Sequence, residues 1–201
     1  FQINAGTTGF FKDPMSLFAG AGALGMGFDD FNADYFDHSE LDFIHGGLIA
    51  MLQPGKRPIE QNAVPMGTPG WGSEFKKAKN HYFNRSFGVA GMGATMPYKE
   101  NYLSLDDTYK DAYGYPLLRM TYDYTDNDKE IFKFLAPKAE QVVKDMGAES
   151  FISKPVPQVY DIVSYQATHT TGGAIMGTDP VYSGLLYMFD AADQKEQRHP
   201  G

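Results

Sequence analysis

A chain of 201 residues can hold one domain with a substantial core, or one domain and a piece of another. With 42% hydrophobic and 21% charged residues it is globular rather than disordered, and a net charge of −8 argues against nucleic acid or an anionic membrane surface as partner. The absence of cysteine excludes disulfides and thiolate sites, and no apolar run approaches the ~20 residues of a membrane helix, so no direct membrane insertion is expected. The chain opens on Phe1, mid-pattern and without a visible signal peptide, as a fragment or processed chain does.

Residues 1–35 are rich in Gly, Phe and Asp and show no sustained period. Gly20-Ala21-Gly22-Ala23-Leu24-Gly25 satisfies G-x-G-x-x-G, but that fingerprint needs a buried strand before it and a helix after it. Lys12-Asp13-Pro14 breaks the preceding run and Gly25-Met26-Gly27-Phe28-Asp29-Asp30 is a poor helix start, so a dinucleotide cradle is not expected here. Leu41–Met51 is predicted as a strand with a glycine bulge. His38 and His45 beside Asp37 and Asp42 make too loose a set for a metal, and no metal site is predicted.

Gln53 to Trp71 forms a Pro/Gly loop. Ser73 is placed to cap a helix reaching about Phe83, with Glu74 in its first turn. Arg85 to Thr95 is a strand whose small residues permit close backbone approach, followed by strands at Tyr102–Leu105 and Leu117–Tyr124. In the last of these Leu118, Met120, Tyr122 and Tyr124 alternate with Arg119, Thr121 and Asp123, which predicts one packed and one wet face. Asp126 or Asn127 caps a long helix over about Asp128–Met146. Its stripe is Ile131, Phe134, Leu135, Val142, Val143 and Met146; Pro137 should kink or divide it, and Gly147 stops it. A short strand at Phe151-Ile152 and the run Val156–Val163 lead into the C-terminal motif. Strands with few helices and few βαβ units indicate α+β with an antiparallel sheet.

That motif carries the chemistry. His169 stands between Thr168 and Thr170, whose hydroxyls can fix its tautomer, and Gly172-Gly173 follow where backbone must approach something closely. An imidazole on such a turn suits a general base facing a substrate hydroxyl or a flat cofactor, and a turn with an incidental surface histidine is the alternative.

The stretch Thr168-His169-Thr170-Thr171-Gly172-Gly173-Ala174-Ile175-Met176-Gly177-Thr178-Asp179-Pro180, with Met-Gly seven positions after the histidine, resembles the C-terminal signature of the GMC (glucose-methanol-choline) flavin oxidoreductases. It is most similar to the flavoprotein subunits of gluconate 2-dehydrogenase and related sugar and polyol dehydrogenases. Asp29–Asp34, Phe36–Ser39, Met96-Pro97-Tyr98, Tyr109–Ala112 and Pro116–Thr121 resemble the same subunits in the same order, and the likeness runs to about Ser183.

The resemblance implies a substrate-binding domain with the histidine loop over 1–183, an FAD-binding domain largely absent, and an atypical tail over 184–201. It implies His169 as base for the substrate hydroxyl while hydride passes to flavin N5, with Thr171, Gly172 and Gly173 against the cofactor. FAD would belong to the parent enzyme, with none retained by this chain. The implied substrate is a small sugar acid, sugar or polyol. The implied setting is periplasmic or membrane-associated, with a small subunit and a cytochrome c subunit as partners.

Two departures stand out. No nucleotide fingerprint sits in a suitable context. After Ser183 the chain reads Gly184-Leu185-Leu186-Tyr187-Met188-Phe189-Asp190 and then a polar tail, so the second catalytic residue of the family is missing. His199-Pro200 lacks the surrounding motif, and the apolar run Leu185–Phe189 suggests self-association of the fragment. From residues alone, a non-enzymatic α+β domain binding a polar ligand or a partner protein stays open, as does a structural fragment with no ligand.

Overall fold

The computed structural model describes residues 3–16, 24–33, 35–53 and 63–162. They divide into two compact units: a larger one up to Thr95 together with Tyr124–Gln158, and a smaller one of Met96–Asp123 and the residues from Val159 on. In chain order the elements are β1 (Ile3–Phe10), β2 (Leu24–Phe28), β3 (Gly47–Gln53), α1 (Gly72–Tyr82), β4 (Ser86–Gly93), β5 (Tyr102–Lys110), β6 (Pro116–Thr121), α2 (Asp126–Asp145) and β7 (Ser150–Ser153). The class is α+β, as the pattern of strands and few helices implied.

The larger unit is a five-stranded antiparallel sheet in the order β2-β3-β4-β1-β7, with α2 laid across one face. Strand β1, an interior strand between β4 and β7, falls in the stretch expected to be irregular. Ile3, Ala5, Thr7 and Gly9 are buried in alternation, the period-two signature of a strand with one face covered. Small side chains hid that signal: INAGTTGF carries little hydrophobic contrast, and its burial comes from α2 rather than from its own bulk.

The helix sits close because the sheet offers it little but backbone. A methyl group added at Gly9 would lie 2.5 Å from Val143 Cγ1, and one at Gly91 would lie 2.7 Å from Leu135 Cβ. Ile131, Phe132, Leu135, Ala139 and Val143 complete the core with Ile3, Ile49 and Val89. Of the predicted stripe, Ile131, Leu135 and Val143 are buried, whereas Met146 is exposed. Pro137 lies inside α2 without dividing it, and Gly147, at φ +84, ends it.

Several boundaries differ from the sequence reading. Thr125 rather than Asp126 or Asn127 caps α2, in a reciprocal box in which Thr125 Oγ1 accepts from Asp128 N and Asp128 Oδ2 accepts from Thr125 N. Ser73 lies inside α1, entered through Gly72 at φ +88, and no side chain caps that helix. β3 starts at Gly47 rather than Leu41. Residues Leu41–Gly46 form a loop with His45 at φ +63, and Asn127 clamps it by accepting from Ile44 N and donating to Ile44 O. Phe36, Phe43 and Phe134 pack beneath this loop, with the Phe36 and Phe134 rings stacked at 5.3 Å.

The smaller unit is the β5–β6 ribbon. Leu103 pairs with Met120 and Leu105 with Leu118, so these four share one face. The alternation in β6 predicted that its apolar face would be packed, yet exposure runs from 38% at Met120 to 67% at Leu118. No third strand among the described residues joins the ribbon. Tyr122 and Tyr124, beyond the strand, follow the prediction in being half-buried and buried.

Candidate functional site

His169, Thr171, Gly172 and Gly173 lie outside the described residues, as does the tail after Ser183. What the described residues offer is the sheet face opposite α2. On that face β1 presents Asn4, Gly6 and Thr8, β4 presents Gly88, Ala90 and Met92, and β7 presents Ile152, as the registers Gly6↔Ala90, Thr8↔Gly88 and Thr8↔Ile152 require. Over Gly6, Thr8, Gly88 and Ala90 the side chains are so short that the sheet forms a shallow floor.

A groove of about 470 Å³ lies over it, lined by Gly6, Thr8, Gly88, Ala90, Ile152 and Lys154 among others. Lys154 is held at its edge by its own amide, which donates to Gly6 O at 2.9 Å. Its Cδ and Cε lie 3.6 Å from where a Gly6 side chain would begin, so the aliphatic stem runs along the floor. On the opposite face the Thr7 and Ser153 hydroxyls, 3.0 Å apart, fasten β7 to β1 beside it. Nothing in the sequence announced this groove, because β1 and β4 line it with Gly6, Thr8, Gly88 and Ala90, and β7 reaches β1 from some 140 positions away along the chain.

The histidine pair set aside as a metal site is accounted for by the loop before β3. His38 Nδ1 lies 2.9 Å from Phe36 O and Nε2 lies 2.6 Å from His45 O, so both ring nitrogens face backbone carbonyls. No group of three His, Asp or Glu among the described residues could hold a metal ion.

The described residues do not fit the pyrophosphate of a dinucleotide. Leu24 and Gly25, which close the G-x-G-x-x-G string, lie in strand β2 and open no helix. At α2, the backbone donor of Asp128 is taken by Thr125 and the first turn carries Asp126 and Asp128, which repel an anion. At α1, Glu74 stands in the first turn.

Comparison with known proteins supplies the context that this geometry lacks. Residues 97–184 match the family model described as GMC oxidoreductase, a span that includes His169. Over 186 residues, 92% of the chain, the sequence is 41% identical to the gluconate 2-dehydrogenase flavoprotein of Pantoea cypripedii. The chain spans 30% of that relative's length.

Proposed function

We propose, from the match of residues 97–184 to the GMC oxidoreductase family model, that the chain is the substrate-binding part of an FAD-dependent dehydrogenase acting on a sugar acid, sugar or polyol. The observation that carries this reading is the 41% identity, over nearly the whole chain, to a gluconate 2-dehydrogenase flavoprotein. The reaction converts a secondary alcohol to a ketone. FAD, held by parts of the longer protein outside this chain, is the hydride acceptor.

The chain's own contribution is orientation and a base. His169 takes the proton of the substrate hydroxyl, a task suited to an imidazole with a pKa near ~6.5. Thr168 and Thr170 fix the ring's tautomer, and Thr171, Gly172 and Gly173 let the backbone lie close to the cofactor. The small-residue face of the sheet, free of α2, is the surface on which such a substrate rests. The setting is periplasmic, and the partners are a small subunit and a cytochrome c subunit that carries the electrons away.

The test is His169→Ala in the intact flavoprotein. The expected outcome is a kcat for alcohol oxidation lowered by ~10²- to 10⁴-fold with flavin content unchanged, easing at high pH where the substrate is more readily ionised. Flavin reduction at the wild-type rate would return His169 to the role of a turn residue.

A further inference from the structure

His169 can act as a base only from a fixed position, and the described residues show how the chain is held shortly before it. At the open end of the β5–β6 hairpin, Asn101 and Asp123 lie just outside the ladder pair Tyr102↔Thr121. Asn101 Oδ1 accepts from Asp123 N at 3.0 Å, and Asn101 Nδ2 donates to Asp123 O at 3.1 Å. One side-chain amide thus supplies both a donor and an acceptor, as a further ladder step would. The backbone of Asp123 is fixed to the strand that starts one residue after Asn101.

The chain returns to this unit at Val159. One residue later the amide of Tyr160 donates to Asp123 Oδ1 at 2.7 Å. A carboxylate accepting a backbone N–H makes one of the stronger hydrogen bonds open to a protein. The Tyr160 ring also packs edge-on against that of Tyr122, with centroids 4.9 Å apart and planes at 86°, an arrangement that aromatic pairs favour. Tyr160 is therefore held twice, at its backbone by Asp123 and at its ring by the residue before it. Neither contact belongs to the β5–β6 ladder, and the Asp123 bond reaches a segment 37 positions further on.

His169 follows nine positions after Tyr160, so the anchor stands at the root of the segment that carries the motif. A base must meet the substrate hydroxyl in near-attack geometry, and a misplacement of about 1 Å can cost ~10²-fold in rate. A segment pinned at its root has fewer conformations to lose on reaching that geometry. We propose that Asp123 is a positioning residue for His169, acting through the chain it holds at Tyr160. This rests on the oxidoreductase reading with His169 as base and adds to it the group that aims the base. Asp123 itself exchanges no proton with the substrate.

The experiment uses the flavoprotein that carries this chain and compares Asp123→Ala, Asp123→Asn and His169→Ala, alone and with Asp123→Ala and His169→Ala combined. The readouts are the rate of flavin reduction at saturating gluconate and hydrogen exchange at the Tyr160 amide. In Asp123→Ala the rate should fall roughly tenfold, less than the loss expected for His169→Ala, with flavin content unchanged. The Tyr160 amide should lose protection at the same time. Asp123→Asn keeps an oxygen for that amide and should restore most of both. In the His169→Ala background Asp123→Ala should add nothing, because a residue that acts through the base has no effect once the base is gone. Effects that multiply in the double variant, or a wild-type rate in Asp123→Ala, overturn the assignment. So does an unprotected Tyr160 amide in the wild type. Should Asp123→Ala fail to fold, Tyr160→Leu takes its place, since it keeps the amide and loses only the ring contact with Tyr122; it should slow flavin reduction with His169 present and not without it, and any other result overturns the proposal. A His169→Ala enzyme that reduces its flavin at the wild-type rate refutes the base and the positioning role with it, whereas a slow His169→Ala beside an unaffected Asp123→Ala refutes only the role of Asp123.

Discussion

Asp128 is a buried carboxylate in the first turn of α2, and its two oxygens have different fates. Oδ2 accepts from the amide and hydroxyl of Thr125, while Oδ1 is buried and has no hydrogen-bond partner among the described residues. Burial raises its pKa above the ordinary carboxylate value, against the opposing effect of the Thr125 hydrogen bonds. A carboxyl that holds its proton more tightly in the folded chain stabilises the fold below its unfolded pKa, and this contribution is lost as pH rises through the raised folded value. Asp128→Asn keeps an acceptor for Thr125 and removes the charge. The variant should therefore gain stability relative to wild type between about pH 4 and about pH 7, measured by urea unfolding at both. A constant difference between the two proteins across that range would show that the carboxyl does not titrate in the way its burial demands. The motif S/T-x-x-D was present in the sequence as Thr125 to Asp128, but competing caps at Asp126 and Asn127 obscured it until hydrogen bonds selected one.

At the scale of elements, α2 and its glycine floor hold the larger unit together. Leu135 is fully buried, with Cβ against the Gly91 backbone and Cδ1 against Gly47. Leu135→Ala should cost ~2–5 kcal/mol, the usual range for emptying a close-packed aliphatic site, read from chemical denaturation. Gly91→Ala should also destabilise, by overpacking, because its new methyl meets Leu135 Cβ at 2.7 Å. Alanine at 135 retains Cβ, so the double variant should show no relief of that clash; a rescued double variant would mean that the helix slides on the sheet. The β5–β6 ribbon is the opposite case. Its apolar face of Leu103, Leu105, Leu118 and Met120 lies exposed, and a two-stranded ribbon alone is marginal in water.

For the whole molecule, the described residues contain a sheet, a helix that packs on it and a ribbon, but no cradle for a pyrophosphate. The chain is therefore expected to fold without retaining FAD. Titration with FAD at micromolar concentrations, followed by flavin fluorescence, should show no saturable quenching. Stoichiometric yellow protein from purification would contradict this and would require a nucleotide site formed by residues outside those described. The chain spans 30% of the relative to which it is 41% identical, so the stability experiments are made on this chain and the catalytic ones on the flavoprotein proposed above.

The sequence by itself determined the class, the long amphipathic helix with its glycine stop, the strand at β4 and the family resemblance, because each is written in short-range pattern: period, cap, or a contiguous motif around His169. It failed at β1, where Gly, Ala and Thr give no hydrophobic contrast, and at Leu41–Gly46, where aliphatic residues resembling a strand are instead held in a loop by the Asn127 clamp and the bonds to His38. It also misjudged β6, because alternation shows which residues share a face but not whether another layer covers it. Only the tertiary structure could decide these. Pairing β1 with β4 and β7, seating α2 on glycine backbone and laying Lys154 across Gly6 are contacts between distant positions, and their energy depends on proximity that no local window of residues contains.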